Sequence, residues 1–490
     1  MAHNTSTIDF NGFLPEGESL FDYQQVGVAY ALVTKRCFIA DEMGLGKTRQ
    51  ALVALEAGNV LGDISRPAVI VCPASLKGNW ENEIKRCLPN RTVQVVLGER
   101  PYETFAEIIV ISYNLLGAWA EYLDPSSLVL DESHYVKNPG TKAKPVQRTI
   151  GAKLLASRVP AFGLVLALTG TPIMNRPVEL VTQLQILGQL DKVSPRPRKG
   201  QTDRDWEYAF KFSYCGPKHN GHGYEFKGNS NLAQLNERLR ANCMVRRLRA
   251  DVLNMNDTVR VQVPVSLNGA LDTYRAAERN FIAYVTEKGG ADAAAKANRA
   301  FVITQMNELR KLAGQAKIET AVEWVKNFFE QNEGRSLVAF AWHKEVQNAL
   351  VKAFPGCATI TAATKDVEAE KAKFLAGTTN LIVVSILKGQ AGHTLVGPSI
   401  DCHDVVFFQQ GWNPGTMAQA EDRINRIGQT SQWVFAHNVI ANGTIEEDIA
   451  EIIEAKRQVF NAAINGTPLS DEEIEGSVQD EVLRRLAGRA

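Results

Sequence analysis

Short runs of apolar residues alternate with longer stretches of helical periodicity in the first third of the chain, and the same alternation returns in its second half. The runs are rich in Val, Ile and Leu. Strands buried on both faces of a parallel sheet have this composition, because helices cover both sides. Strands are therefore predicted over residues 36–40, 68–72, 108–111, 127–130, 163–168, 336–340, 381–384, 404–408 and 433–440. The pattern predicts an α/β protein with two parallel-sheet lobes in tandem.

Five segments follow from this alternation. We predict an N-terminal extension (1–14), a first lobe (15–190), an insert (191–261), a second lobe (262–460) and an acidic tail (461–490) that forms a solvated helix. The length of 490 residues agrees with more than one domain. A single hydrophobic core rarely grows beyond about 250 to 300 residues.

The insert differs from both lobes in composition. Between Lys192 and Arg249 there are 13 Lys and Arg residues against 5 Asp and Glu residues. The aromatic residues interleaved with them are Trp206, Tyr208, Phe210, Phe212, Tyr214, Tyr224 and Phe226. Basic and aromatic side chains together are typical of nucleic-acid binding, so a DNA-facing insert is one interpretation. The other is a solvated insert with a small aromatic core of its own.

The bulk composition argues against several classes of protein. No apolar run reaches the roughly 18 to 20 residues needed to cross a bilayer, and residues 1–10 lack a basic stretch followed by an apolar one. The seven cysteines show no metal-ligand spacing. The formal net charge of +0 leaves only local patches to attract a polyanion. We expect a cytoplasmic protein with no membrane partner, and the length suggests a bacterial or phage-infected host cell.

The strongest single motif is Asp41-Glu-Met-Gly-Leu-Gly-Lys-Thr48, which follows a predicted strand and precedes a helical run. A loop in this position directs backbone N–H groups and a helix N-terminus at phosphates. Lys47 would add a charge on the terminal phosphates, and the hydroxyl of Thr48 would reach Mg²⁺. Asp41 stands where the usual phosphate loop has Gly.

A second motif, Asp131-Glu-Ser-His134, ends the predicted strand 127–130. An acidic residue at the carboxyl end of such a strand lies beside the phosphate loop, so Asp131 is expected to hold Mg²⁺. Glu132 would orient and deprotonate the attacking water. His134 is interpreted as a residue that couples the site to the other lobe, with a purely structural histidine as the alternative.

The second lobe carries a pair of arginines near its end, Arg423 and Arg426. On a helix they would share a face, because residues three apart are neighbours on its surface. Guanidinium groups brought to the phosphate site from another lobe would stabilise charge on the transferring phosphoryl group. We therefore predict that both arginines are catalytic.

These motifs occur in an order that resembles a known family. In chain order they are 20–28, Asp41–Thr48, 71–76 with Trp80, Asp131–His134, 168–175, 244–252, 411–415 and 419–429. The set resembles the Swi/Snf-type (sucrose-nonfermenting) DNA translocases of helicase superfamily two from about residue 20 to 449. The segments 212–217, 228–232 and 412–423 look most like its annealing-helicase (HepA-related) branch. Two positions depart from the family pattern: Ser133 replaces Ala or Gly, and residues 360–364 lack an expected arginine, for which Lys365 or Lys371 are candidates.

The resemblance implies two RecA-like lobes and a site for ATP and Mg²⁺. Within that site, Gln24 would read adenine with Tyr23 as a stacking partner, and Thr169, Gly170 and Thr171 would couple hydrolysis to lobe movement. The remaining nucleotide contacts implied by the resemblance are Met43, Gly44, Leu45, Gly46, Lys47, Thr48 and Gln419. Contacts that track one DNA strand are expected from Ser75, Lys77, Ser112, Tyr113, Arg246, Arg247, His343, Lys344, Thr364, Gly392, His393 and Thr394.

The function implied is an ATP hydrolase that moves along double-stranded or forked DNA as a monomer, with other replication or repair proteins as further partners. Two other functions stay open. One is a strand-separating helicase of the same superfamily, and the other is a protein-remodelling ATPase.

Overall fold

A computed structural model describes residues 9–141, 143–198, 200–253, 258–267, 271–389, 394–466 and 478–489. The chain folds as two compact units. The first consists of Met1–Ile173, Pro177–Val252 and Asn461–Pro468, and the second consists of Met174–Arg176, Leu253–Phe460 and Leu469–Ala490. Residues 191–252 of the expected insert thus belong to the first unit.

The first unit is built on a seven-stranded sheet in which every neighbouring pair is parallel. Its strands are β1 (Arg36–Ile39), β2 (Ala68–Cys72), β3 (Val93–Val95), β4 (Ile108–Ser112), β5 (Ser127–Asp131), β6 (Val165–Leu168) and β9 (Met244–Val245). Two further short strands, β7 (Lys218–His219) and β8 (Tyr224–Glu225), form a separate antiparallel hairpin. The order across the sheet is β3-β4-β2-β5-β6-β1-β9.

Helices cover both faces of this sheet, and therefore its central strands are buried along their length. The helices are α1 (Asp22–Thr34), α2 (Lys47–Ala57), α3 (Lys77–Cys87), α4 (Leu116–Trp119), α5 (Gln147–Arg158), α6 (Leu180–Leu187), α7 (Leu190–Val193), α8 (Asp203–Tyr214), α9 (Leu232–Asn242) and α10 (Arg249–Val252).

The second unit has a six-stranded sheet, again parallel throughout, in the order β10-β15-β14-β11-β13-β12. The strands are β10 (Val259–Val265), β11 (Arg335–Ala341), β12 (Ala358–Ile360), β13 (Leu381–Ser385), β14 (Asp401–Phe407) and β15 (Phe435–Ala441). The helices are α11 (Leu271–Glu287), α12 (Ala291–Ala316), α13 (Ile318–Gln331), α14 (Lys344–Ala353), α15 (Val367–Leu375), α16 (Ile386–Gly389), α17 (Pro414–Glu421), α18 (Ile445–Phe460) and α19 (Val478–Ala487).

The predicted α/β class with two parallel sheets is confirmed, and each predicted strand region contains an observed strand. The short strands β3, β9 and β12 and the half-exposed β10 were missed, because none of them forms a long apolar run. Among the described residues, no helix has both the length and the apolar character needed to span a membrane.

The prediction of a solvated C-terminal helix is wrong for the described part of the tail. Val478, Val482 and Leu486 recur every fourth residue of α19 and are buried in the core of the second unit. This spacing forms an apolar stripe along one side of a helix, which packing against α18 removes from water. The acidic residues Asp471, Glu472, Glu473 and Glu475 lie outside the described residues.

Candidate active site

Four predicted motifs lie at one edge of the first sheet. The strands β5, β6, β1 and β9 are consecutive across the sheet and parallel, so their carboxyl ends meet at the same edge. The segments that follow them are 131–134, 169–171, 40–48 and 246–249. Strand order therefore brings together motifs that are up to about 200 residues apart in the sequence.

The phosphate loop has the backbone that its glycines permit. Gly44 and Gly46 have φ of 80° and 71°, in the left-handed region that other residues rarely adopt. Gly46 caps α2, whose first residues are Lys47 and Thr48. The Lys47 ammonium donates to the backbone oxygens of Asp41 (2.9 Å) and Glu42 (3.2 Å). A helix N-terminus with a cation beside it is an arrangement suited to bind phosphate groups.

The electrostatics of Lys47 suit an anionic ligand. Burial lowers the pKa of its ammonium, and the nearby carboxylates of Glu132, Asp41 and Asp131 only partly oppose this effect. Additional negative charge beside the ammonium would stabilise its protonated form. The phosphates of a nucleotide would supply that charge.

The residues predicted to read adenine are anchored to this loop. Gln24 accepts a hydrogen bond from the backbone N–H of Phe21 (3.0 Å) and donates one to the backbone oxygen of Leu45 (3.1 Å). The hydroxyl of Tyr23 donates to the same oxygen (3.3 Å), and its ring stacks on that of Phe21. The beginning of α1 and the phosphate loop are therefore joined by side-chain contacts.

Asp131 is held by two donors that were not predicted from the sequence. The indole N–H of Trp80 donates to its carboxylate at 2.7 Å, and the hydroxyl of Tyr113 donates to its backbone oxygen at 2.7 Å. Burial, reinforced by the charge of Glu132, raises the pKa of Asp131 to about 7. Trp80 belongs to one of the motifs on which the family resemblance rests, and this was a sequence signal for the contact. The motif does not indicate what the indole binds.

The carboxylate pair suits a divalent cation. Two neighbouring acidic groups with unfavourable burial are stabilised by a bound cation, and Mg²⁺ prefers oxygen ligands such as a carboxylate and a hydroxyl. Asp131 and Thr48 are therefore suitable ligands for Mg²⁺.

Glu132 begins a connected path to the segment after β6. Its φ of 51° is unusual for a residue with a side chain, and such conformations occur at functional sites. One of its carboxylate oxygens lies 3.3 Å from Nδ1 of His134, which is 3.5 Å from the hydroxyl of Thr169. That hydroxyl in turn accepts from the backbone N–H of Thr171 (3.0 Å). The predicted catalytic base and the predicted coupling segment are thus in contact through His134.

Arg246 and Arg247, predicted to bind DNA, contact the phosphate loop and the segment after β6. Arg246 is 6% exposed and donates to the backbone oxygens of Ala40 and Gly170, whereas Arg247 pairs with Asp41. Arg249, which was not predicted, donates to the carboxylate of Glu42 and the backbone oxygen of Met43. These arginines follow β9, which pairs with β1 and therefore delivers them beside the loop. DNA binding by Arg246 and Arg247 stays a prediction.

The other predicted DNA contacts of the first unit differ in exposure. Ser75 is exposed, and Lys77 is partly exposed with its ammonium on the backbone oxygen of Val96 (2.9 Å). Ser112 and Tyr113 are buried at the end of β4. The structure thus gives Tyr113 a role in holding Asp131.

In the second unit, Gln419 lies in α17 but the predicted helical pair Arg423 and Arg426 does not. The helix ends at Glu421, and both arginines lie in the turns that follow, so the prediction of a shared helical face is wrong. The side chains of Ile424 and Asn425, between the two arginines, are both fully buried. The Arg423 guanidinium bonds back to the oxygen of Gln419 (2.7 Å), and Arg426 is partly exposed.

The predicted DNA contacts of the second unit lie in loops that follow strands. His343 and Lys344 come after β11, where His343 bonds to Gln409 at 2.7 Å and Lys344 is exposed. Thr364 uses its hydroxyl within its own loop, bonding the backbone N–H of Thr361 and the oxygen of Thr359. Thr394 is partly exposed, whereas Gly392 and His393 lie outside the described residues.

Known proteins are similar to this chain along most of its length. A family model described as the SNF2-related domain matches residues 23–314. The SWI/SNF-related matrix-associated actin-dependent regulator of chromatin subfamily A-like protein 1 of Xenopus tropicalis is 29% identical over 472 residues, which cover 91% of this chain and 45% of that protein. The DNA annealing helicase and endonuclease ZRANB3 of Mus musculus is 29% identical over 480 residues, 93% of this chain and 42% of that protein.

The chain therefore spans about half the length of these curated relatives. They are animal proteins and give no support to the expected bacterial or phage host. Among solved structures, the Sulfolobus solfataricus SWI2/SNF2 ATPase core in complex with double-stranded DNA aligns with a TM-score of 0.40 and 21% identity over 92% of this chain and 93% of that one. The family model covers more than half of the sequence. This chain belongs to the SNF2-related domain family.

Proposed function

We propose that the chain is an ATP-driven motor that moves along double-stranded DNA and remodels it. The observation that carries the proposal is the meeting of the phosphate loop with the Asp131–Glu132 pair at one edge of a parallel sheet. A loop that binds phosphates, a Mg²⁺ ligand and a base for water form the minimal set for hydrolysis of a nucleoside triphosphate. Membership in the family and the printed name of the annealing-helicase relative favour DNA as the track.

Each residue of the set has a separate task in this proposal. Mg²⁺ bound to the nucleotide would neutralise the charge of the phosphates during transfer. Thr48 and Asp131 hold that ion, and Lys47 binds the terminal phosphate. Glu132 takes the proton of the attacking water, while Trp80 and Tyr113 keep Asp131 in place. Gln24 and Tyr23 select the adenine ring.

His134 and Thr169 transmit the state of the site. His134 lies between the Glu132 carboxylate and the Thr169 hydroxyl, so a change in charge at Glu132 alters which hydrogen bond its Nδ1 can make. The segment 169–171 would move with it. Alternating grip of the two units on the phosphate backbone then produces steps along DNA.

DNA-dependent hydrolysis tests this function. Phosphate release should rise when duplex DNA is added, and Lys47→Ala and Glu132→Gln should each reduce the stimulated rate by at least about a hundredfold, because each removes charge or proton transfer at the reacting group. Glu103→Gln, at an exposed carboxylate of the same unit, is the matched control and should retain the rate. Circular dichroism should show that the variants are folded. Unchanged turnover in both site variants would contradict the assignment.

Two further assays distinguish the alternatives. A strand-separating helicase would release a labelled strand from forked duplex in the presence of a trap strand, whereas the proposed motor would hydrolyse ATP without net release. A protein-remodelling ATPase would hydrolyse ATP at the same rate with and without DNA. Comparing stimulation by single-stranded, duplex and forked DNA would identify the preferred track.

A further inference from the structure

Asp41 occupies a position where phosphate loops usually have glycine, and its contacts explain the substitution. Its side chain is fully buried. One carboxylate oxygen accepts from the backbone N–H of Arg247 (3.0 Å) and from its Nε (2.8 Å), and the other accepts from the amide of Gln50 (2.9 Å). A second guanidinium nitrogen of Arg247 also pairs with this second oxygen. Asp41 therefore anchors the start of the loop to a segment about 200 residues away.

Arg247 also holds the helix that carries the predicted adenine-reading residues. Its guanidinium donates to the backbone oxygen of Tyr23 and lies 5.5 Å from the centre of the Tyr23 ring. It donates as well to the side-chain oxygen of Gln50 in α2 (2.9 Å). One side chain thus connects the beginning of α1, the phosphate loop and the helix that follows the loop.

Gly27 provides an independent sign that this packing is specified by the sequence. It lies in the middle of α1, where glycine costs helix stability. A Cβ at this position would collide with the side-chain oxygen of Gln50 and would lie 2.6 Å from the Arg247 guanidinium. A side chain at this position would displace the ends of the Gln50 and Arg247 side chains, so glycine preserves their present contacts.

We propose that Arg247 is a positioning residue that determines selectivity for adenine, an inference that rests on the proposed nucleotide site. Gln24 can discriminate between bases only if its amide keeps a fixed distance from the phosphates. That distance is set on one side by the Gln24 hydrogen bond to Leu45 and on the other by Arg247, which binds Tyr23 and Asp41 together. Without Arg247 the phosphates would still bind, but the Gln24 amide would no longer be held where it can form hydrogen bonds to the adenine base.

Nucleotide binding without DNA tests the inference. Dissociation constants for ATP and GTP are measured by calorimetry for the wild-type chain, Arg247→Gln, Arg247→Lys and Gly27→Ala. For Arg247→Gln we expect ATP to bind about tenfold more weakly and GTP to change less than about threefold, the scale of losing one well-placed hydrogen bond. Arg247→Lys keeps the charge opposite Asp41 but lacks the fork that reaches Tyr23, so an intermediate ratio is expected. Gly27→Ala should shift the ratio in the same direction.

Arg238→Gln is the matched control. This arginine is also partly buried in the first unit, but it donates to the backbone oxygens of Val193 and Ser194, away from the loop. Its ATP to GTP ratio should equal that of the wild type. Equal weakening of ATP and GTP in Arg247→Gln, or a wild type that does not prefer ATP, would overturn the inference. A wild type that prefers ATP but is not stimulated by DNA would refute the motor and leave the role of Arg247 intact.

Discussion

At the scale of one residue, burial changes the charge of His343, a side chain that the family resemblance implies as a DNA contact. Its ring bonds to Gln409 and lies near the Arg310 guanidinium. Burial, reinforced by the charge of Arg310, lowers the pKa of His343 from 6.5 to about 4. At neutral pH it is therefore an uncharged imidazole, which can form a hydrogen bond to a phosphate but adds no positive charge.

This shift predicts a pH dependence of stability. The unfolded chain takes up a proton on His343 near pH 6.5 and the folded chain only near pH 4, so stability is lost as pH falls from about 6.5 towards 4. We expect His343→Gln to reduce the difference in thermal midpoint between pH 7.5 and pH 5. His222→Gln, at an exposed histidine of the β7–β8 connection, should leave that difference unchanged. Identical pH profiles for wild type and His343→Gln would contradict the prediction.

Ser133, like Asp41, departs from its motif for a reason found in the fold. The Ser133 hydroxyl is buried and donates to the side-chain oxygen of Gln183 at 2.8 Å. Gln183 in turn donates to the backbone oxygens of Pro172 and Glu179. The hydroxyl of Ser133 therefore supports the loop after β6, and the motif keeps both of its carboxylates, Asp131 and Glu132.

At the scale of elements, α12 holds two loops of the second unit through one arginine. The Arg310 guanidinium lies 4.8 Å from the ring centre of Trp342, after β11, and 4.4 Å from that of Trp412, after β14. It also donates to the backbone oxygen of Gln410. Burial lowers its pKa to about 10, so the group is still charged at neutral pH and both indole faces attract it.

This arrangement predicts a large effect on stability. Arg310→Ala should lower the free energy of unfolding by about 3 kcal/mol, because it leaves a cavity between two indoles and removes both cation–π contacts. Lys311→Ala is the control on the same helix. Lys311 forms an exposed ion pair with Glu345, so a loss below about 0.5 kcal/mol is expected. Urea unfolding measures both values, and equal losses would show that Arg310 is not stabilised by the tryptophans.

At the scale of the whole molecule, the proposed mechanism divides the work between two units. In that proposal the phosphate loop belongs to the first unit, and Arg423 and Arg426 belong to the second. Arg426→Ala should therefore slow hydrolysis by at least about a hundredfold and weaken ATP binding less than about threefold, because a guanidinium that acts on the transition state adds little to ground-state affinity. Single-turnover kinetics and calorimetry separate the two quantities. Equal loss of both would argue against this role.

The charge of the whole molecule bears on how it would hold DNA. The net charge is +0, and three of the basic residues in 192–249 are buried or paired with a carboxylate within the first unit: Arg246 is buried, Arg247 pairs with Asp41, and Arg249 is buried and pairs with Glu42. The local excess of positive charge is thus smaller at the surface than the sequence suggested. DNA binding should depend on the few cations that face the phosphate backbone.

Such binding is expected to be sensitive to salt and insensitive to sequence. If about five phosphates are neutralised, affinity should fall roughly 500-fold between 50 and 200 mM salt. Two duplexes of equal length and unrelated sequence should bind within about threefold of each other, because backbone contacts carry no base information. Fluorescence anisotropy tests both points. A salt-independent affinity would contradict a motor that grips phosphates.

Motifs built from neighbouring residues were predictable from the sequence. The loop 41–48 and the pair Asp131–Glu132 depend on local backbone and on the end of a strand, so their residue types and spacing indicate their chemistry. The turn at Arg423 was not predictable, because the burial of Ile424 and Asn425 results from packing within the second unit. Trp80 and Tyr113 were missed as supports of Asp131 for the same reason.

The sequence by itself determined the α/β class, the long buried strands of the two sheets and the candidate phosphate loop, because these follow from local periodicity and local backbone geometry. Only the tertiary structure decided what the basic segment 246–249 contacts within the chain. Its strand pairs with β1, and that non-local pairing places three arginines beside the phosphate loop. A cluster of arginines has the same sequence pattern whether its side chains contact a nucleic acid or a buried carboxylate. Which contacts form depends on the strand that lies next to the cluster.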